Sequence, residues 1–260
     1  MIFRKILKLM LSGLTRWALK KHQIKLYVVS GWHGTELSRE LAYQVLSSHI
    51  LVRRMTTNPW WDFSIPLAIL GYSDKRRTPL AWAILMIKAT YVLLFNKANP
   101  HVLILNVNYS DENTAKYWAS FLNPSVLLIT AFKESLPFIQ HIVKVTKNAG
   151  GTIVCDMRDQ TKMEVMTGQY ENLYYFGHNC GKLHFDEVEL GFVLFTYNNK
   201  KYRIKKNLFP GMKAEVMAGS LCLAILNDIE ITDALYAMVK FQIPPTMIQR
   251  LIDNLNSLKK

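Results

Sequence analysis

One stretch of this chain has the make-up of a turn that meets phosphate: Ser30-Gly31-Trp32-His33-Gly34-Thr35-Glu36-Leu37-Ser38. It follows a β-rich run and precedes a helical pattern. A working phosphate loop needs glycines so that the backbone can wrap the oxygens. It also needs a lysine against the β/γ charge and a hydroxyl for Mg²⁺. Gly31 and Gly34 supply the first requirement. Thr35 stands at the lysine position and Glu36 at the hydroxyl position, and a carboxylate there repels a triphosphate. His33 either contacts an anion or fills the turn. Taken alone, the two glycines are equally those of a plain strand-to-helix turn. His178, Cys180 and His184 are close in sequence, but His-x-Cys-x₃-His is not a usual zinc spacing, so no metal is expected.

The elements around the loop alternate. Lys25 to Ser30, Val102 to Val107, Ser125 to Thr130 and Thr152 to Met157 read as buried strands. Helical patterns cover about 36–49, 111–122 and 136–148 between them. That alternation predicts βαβ units, a mostly parallel P-loop-type sheet flanked by helices, and ligands at the strands' carboxyl ends. After residue 170 the pattern changes. Asn172 to Phe176 reads as a strand. Gly191 to Tyr197 and Lys200 to Lys205 read as a hairpin turning at Asn198-Asn199, a small antiparallel patch. Helices are expected near 212–226, 232–240 and 245–258. Lys200, Lys201, Arg203, Lys205 and Lys206 fit a solvated edge strand, the alternative being contact with nucleic acid or lipid. The predicted organisation is an α/β body over 25–260 preceded by a basic amphipathic helix over 1–24.

The 260 residues carry 32 Lys+Arg against 19 Asp+Glu, a net +13 that suggests a polyanionic neighbour. Seven of the basic residues lie within residues 1–25, where there is no acid. On a helical wheel, Phe3, Ile6, Leu7, Met10, Leu14 and Trp17 share one face, and Arg4, Lys5, Lys8 and Arg16 the other. This predicts an in-plane helix on an anionic membrane surface through residues 1–20. The alternative is a helix packed on its own domain with the basic face solvated. No apolar run reaches the ~20 residues of a spanning helix; the nearest, Leu80 to Phe95, contains Lys88. Three separated cysteines without a CxxC imply no disulfide framework. Nucleic acid is an unlikely partner, because no nucleic-acid motif accompanies the charge.

The order of features resembles the central ATPase domain of the Mur ligase family, in its MurF-like form. Those enzymes join amino acids or peptides to UDP-MurNAc precursors of peptidoglycan. The family loop, TGSNGKTTT, matches SGWHGTELS in register. The family's NYNNEIGVPL resembles Asn58-Pro59-Trp60-Trp61-Asp62-Phe63-Ser64-Ile65-Pro66-Leu67. A VLEMG-like strand corresponds to 102–107, a PDxxVIT-like strand to 123–130, and a GGxxVxNxDD-like strand to 150–159. Asn58, Asp62, Asn106, Thr130, Asp156 and Asp159 thereby fall on family motif positions. The resemblance covers roughly 25–252. A Lys-rich leader running straight into the loop is similar to that of short Mur-like proteins of reduced bacteria.

The departures shape the functional expectation. The family binds ATP and Mg²⁺, yet here the loop lysine is Thr35, the first Mg²⁺ hydroxyl is Glu36 and the Mg²⁺ carboxylate is Asn106, a poor ligand for a hard cation. Phosphoryl transfer rests on positioning and charge neutralisation, and these losses remove both. The expectation is a degenerate relative without catalytic residues or cofactor, a scaffold or regulator near cell-wall synthesis at the cytoplasmic membrane face. It would have neither the N-terminal UDP-binding domain nor the C-terminal ligase domain. A divergent nucleotide-binding ligase, with Lys25, Arg39 or Arg53 supplying the charge, and a basic nucleic-acid module are the alternatives.

Overall fold

The computed structural model describes residues 2–107, 111–132, 137–178, 181–188, 191–205, 213–242 and 248. The expected helix over 245–258, apart from residue 248, and Cys180 and Lys206 lie outside the described residues. The chain opens with helix α1 (Ile2–Lys21). Strand β1 (Lys25–Ser30) and helix α2 (Thr35–Ser47) then flank the glycine loop. Next come β2 (Val52–Arg54), α3 (Ser64–Leu70), α4 (Pro79–Phe95) and β3 (Val102–Asn106). The βα alternation continues through α5 (Glu112–Ala119), β4 (Pro124–Ile129), α6 (Pro137–Asn148) and β5 (Thr152–Asp156). After a 3₁₀ turn at Met157–Asp159 come α7 (Gln160–Thr167), β6 (Leu173–Gly177) and β7 (Leu183–Val188). The hairpin of β8 (Phe192–Tyr197) and β9 (Lys200–Lys205) precedes α8 (Ala214–Ile225) and α9 (Ile231–Val239).

The nine strands among the described residues form one sheet in the order β2-β3-β1-β4-β5-β6-β7-β8-β9. The pairs from β2 to β7 are parallel, and β7-β8 and β8-β9 are antiparallel. The fold is thus the expected mostly parallel α/β sheet with a small antiparallel patch. The parallel strands are apolar along their whole length because both faces are covered. Tyr27, Val29, Ile104 and Leu128 face α2, α8 and α9. Leu26, Val28, Leu105 and Ile129 face Trp118 of α5 and Ile142 of α6. Asn198 and Asn199 take positive φ (48° and 61°), the left-handed turn that the hairpin requires.

Sequence patterns leave β2, α3, α4, α7 and β7 unassigned. β2 is three residues long and gives no period to read. α4 has the capping of a regular helix: the Thr78 hydroxyl accepts from the Ala81 N–H (3.3 Å), and Pro79 follows at the first position.

α1 packs on the body, and its contacts redistribute the wheel. Leu7 and Leu11 join Phe63, Leu67, Trp82 and Leu85 in a separate apolar cluster under α3 and α4. Ala18 is buried in the main core, with Leu14 and Trp17 packed at its margin. Phe3, Ile6 and Met10 remain about half exposed. The basic residues are not a free solvated face either. Asp62 is 3% exposed and receives Arg4 Nη2 at 2.7 Å, Lys8 Nζ at 2.6 Å and the Thr114 hydroxyl at 2.8 Å. Arg16 donates to the Ser120 carbonyl (2.9 Å), and Lys21 to the Leu93 and Leu94 carbonyls at the end of α4. Of the four cations assigned to the basic face opposite the apolar one, Arg4, Lys8 and Arg16 hold the helix to the protein. Tertiary partners 58 and 104 residues away decide this, and no local pattern encodes them.

Burial alone raises the Asp62 carboxyl. Hydrogen bonds from Lys8, Thr114 and Arg4 and the Lys8 charge outweigh it and hold the group below the usual carboxylate range. Its contribution is therefore complete above the unfolded value of about 3.9 and disappears as pH falls through the lower folded value. Asp62→Ala is expected to cost up to ~3 kcal/mol, the lower end for breaking a buried pair because Arg4 is largely exposed. Limited proteolysis should then cut within residues 2–21 at neutral pH, as it should in the unmodified chain only below about pH 4.

Candidate functional site

Strand β1 lies between β3 and β4, where the chain's strand order reverses, the place where open α/β sheets form their crevice. Register brings the carboxyl ends level: Val29 pairs with Asn106, Ser30 with Ile129, and Ile129 with Cys155. Ser30, Asn106, Thr130 and Asp156 consequently gather along one edge of the sheet.

The loop is strapped to β4. The Trp32 N–H donates to the Ala131 carbonyl (2.9 Å), and the Thr130 hydroxyl donates to the His33 carbonyl (2.6 Å). Gly31 makes that approach possible, since a Cβ there would stand 2.3 Å from Thr130 Oγ1 and 2.8 Å from Ala131 N. Gly34 caps α2 with φ 75°, the left-handed region that favours glycine. Trp32 and His33 are exposed, and Thr35 and Ser38 are buried in the first turn of α2.

Glu36 occupies the start of α2, and a chain of amides ties it across the crevice. Asn106 Nδ2 donates to Asn58 Oδ1 at 2.8 Å, and Asn58 Nδ2 donates to Glu36 Oε2 at 3.3 Å. Asn106 is buried, and its Oδ1 has no partner. The nearby cations are committed elsewhere. Arg39 donates through Nε and Nη2 to one oxygen of Glu40, Oε1 (2.9 and 2.6 Å), and also pairs with Glu36 at 3.7 Å. Arg54 also pairs with Glu40 (2.8 Å). Arg53 donates to the Ile69 carbonyl, and Lys25 sits at the opposite end of β1. None of Lys25, Arg39 and Arg53 replaces the loop lysine.

Beside the loop lies a cavity of about 460 Å³, lined by His33, Thr130, Phe132, Asp159 and Lys213 among others. Its charge is fixed by an ion cluster. Arg158 donates to both oxygens of Asp156 (3.0 and 2.7 Å) and to Glu215 (2.9 Å). Asp159 accepts from the Phe132 N–H (3.3 Å). Burial and the neighbouring Asp156 raise the Asp159 carboxyl against that bond. Three carboxylates thus accompany Arg158 and Lys213. Arg158, Lys213 and Glu215 were not singled out from sequence, although the Asp-x-Arg-Asp run at 156–159 is the signal that contained the first.

Asp62, four residues from Asn58, is not part of this crevice; it faces α1 and α5 instead. Cys155 and Cys222 are buried, and desolvation pushes both thiols up, away from nucleophilic use. Among the described residues, no group of three or more His, Cys, Asp or Glu could hold a metal ion. ATP with Mg²⁺, which the family resemblance implies, does not fit the residues present. The triphosphate position meets the Glu36 carboxylate, and the cation position meets one amide oxygen, Asn106 Oδ1, in place of a charged ligand.

No family model and no curated protein sequence matches the chain. Solved structures do. The MurF ligase from Thermotoga maritima, in complex with ADP, superposes with a TM-score of 0.65 at 16% identity, over 90% of this chain and 52% of that one. The UDP-N-acetylmuramate:L-alanyl-gamma-D-glutamyl-meso-diaminopimelate ligase from Neisseria meningitides gives 0.59 at 15%, over 90% and 70%. A pseudomurein peptide ligase type C from Methanothermus fervidus gives 0.58 at 13%, over 86% and 51%. The chain therefore has a Mur-ligase-like fold, and it spans about half the length of the MurF structures it matches.

The amide chain has a measurable worth. Asn58→Ala leaves the buried Asn106 amide without its acceptor, which should cost about 1–3 kcal/mol. For a chain of this size that is a fall of roughly 2–12 °C in Tm by calorimetry.

Proposed function

We propose that this protein is a non-catalytic member of the Mur-ligase-like fold, a scaffold or regulator linked to peptidoglycan precursor synthesis. The supporting observation is the Glu36–Asn58–Asn106 chain. An active site for ATP must present positive charge where the γ-phosphate develops negative charge. Here the same place carries a carboxylate that accepts from the Asn58 amide, itself bonded by Asn106, and that lies 3.7 Å from Arg39. The structural neighbours are ligases, while the lysine and the carboxylate that the family resemblance implies for that chemistry are replaced here by Thr35 and Asn106. The partners of such a protein would be cell-wall synthesis proteins at the cytoplasmic face of the membrane. The exposed Phe3, Ile6 and Met10 of α1, with Lys5 beside them, support a peripheral membrane position.

Calorimetric titration of the full chain with ATP and Mg²⁺ is expected to show no binding below millimolar concentration, and phosphate release no turnover. Micromolar affinity with Mg²⁺-dependent turnover would sink this reading. The triple variant Thr35→Lys, Glu36→Thr, Asn106→Glu restores the family charges and should raise ATP affinity at least ~10-fold, since each recovered charge contact is worth about 1.5–3 kcal/mol.

A further inference from the structure

Helix α4 is apolar on every side, yet it lies at the surface. Trp82, Leu85, Met86, Ala89 and Leu93 are buried toward the body. The opposite face presents Leu80, Ile84, Ile87, Tyr91, Leu94 and Phe95, with Leu80, Ile87 and Phe95 about 70% exposed. Their spacing follows successive turns, so they form one ridge along the helix. A helix that is hydrophobic all round belongs in a protein core or in lipid, and a continuous exposed ridge marks an interaction surface.

The charges choose the occupant. Lys75, Arg76 and Arg77 precede α4, Lys88 lies within it and Lys97 follows it. No Asp or Glu occurs from Lys75 to Ser110. None occurs from Met1 to Thr35 either, a stretch with seven basic residues. The two acid-free stretches hold α1 and α4, which pack on each other. Together they carry 12 positive charges of the net 13. A second copy of the chain would bring two such basic stretches together around the ridge, and their repulsion opposes that contact. An anionic bilayer accepts both features: the ridge enters the acyl boundary, Lys88 extends toward the headgroups, and the flanking cations meet phosphate.

A cavity of about 500 Å³ at the C-terminal ends of α1 and α4 extends the match. Val92 and Phe95 of α4 line it together with His22, Arg53, Lys97 and His101, and no carboxylate does. The Nε of Arg53 is buried without a partner, and Lys97 adds a second cation to the lining. Such a site suits the phosphate of a lipid whose chains lie along the ridge.

We propose that α4 is a membrane-docking helix that lies in the plane of an anionic bilayer, with the Arg53–Lys97 cavity receiving a lipid phosphate. This rests on the membrane position proposed above for α1 and moves its main contact to α4. No helix among the described residues is long and apolar enough to cross a membrane, in keeping with a helix that lies on it.

Flotation of the full chain with vesicles tests this. Binding is expected to phosphatidylcholine vesicles containing phosphatidylglycerol, and at least tenfold less to phosphatidylcholine alone. Ile87→Glu with Tyr91→Glu changes only exposed positions and should lower binding at least tenfold with an unchanged circular dichroism spectrum. Arg53→Gln should lower it severalfold, and an unchanged affinity overturns the cavity assignment. If Phe3→Glu, Ile6→Glu, Met10→Glu abolishes binding while the α4 variant does not, the α4 assignment falls and the α1 position stands. If the unmodified chain floats with no vesicle, both fall. A dimer by light scattering that the α4 variant converts to monomer assigns the ridge to self-association and overturns the proposal.

Discussion

The level carboxyl ends of β1, β3, β4 and β5 are the constraint from which the rest of the molecule follows. Parallel pairing on both sides of β1 fixes Asn106 opposite Val29 and Ile129 opposite Ser30. Every polar residue of the crevice takes its place from that register. The glycine loop can then be held by β4, because only a glycine at position 31 lets Thr130 and Ala131 come so close. The helices on either face follow too, since strands apolar along both faces must be covered twice.

The charged groups of the crevice are paired with one another. Glu36 accepts from the Asn58 amide and lies 3.7 Å from Arg39, and Arg158 bridges Asp156 and Glu215. The cavity beside the loop is therefore bordered by ion pairs made within the chain.

Much of this was legible in the sequence, for reasons of period and composition. Runs such as VLILN are buried on both faces and announce parallel strands, and Asn198-Asn199 announces its turn because few residues tolerate positive φ. The loop and its missing charges could be read directly from residue types. Asp62 could not: its neighbours suggested the crevice, but its partners are on α1 and α5, and nothing local specifies them. α4 was judged only against the length of a spanning helix, which a helix lying flat need not meet. About half of the net charge was legible in the first 25 residues, and the structure sets α4, with its own flanking cations, beside α1.

The two ends of the sheet carry a consequence for how other molecules can engage it. One end is β2, only three residues long. The other is β9, whose Lys200, Lys201 and Lys205 are exposed along a strand of six. A short rim on one side and a cationic rim on the other discourage an incoming chain from extending the ladder by backbone pairing. Recruitment by strand addition is therefore disfavoured at both rims, which leaves the side-chain surfaces of the helical layers as the more accessible ground for association.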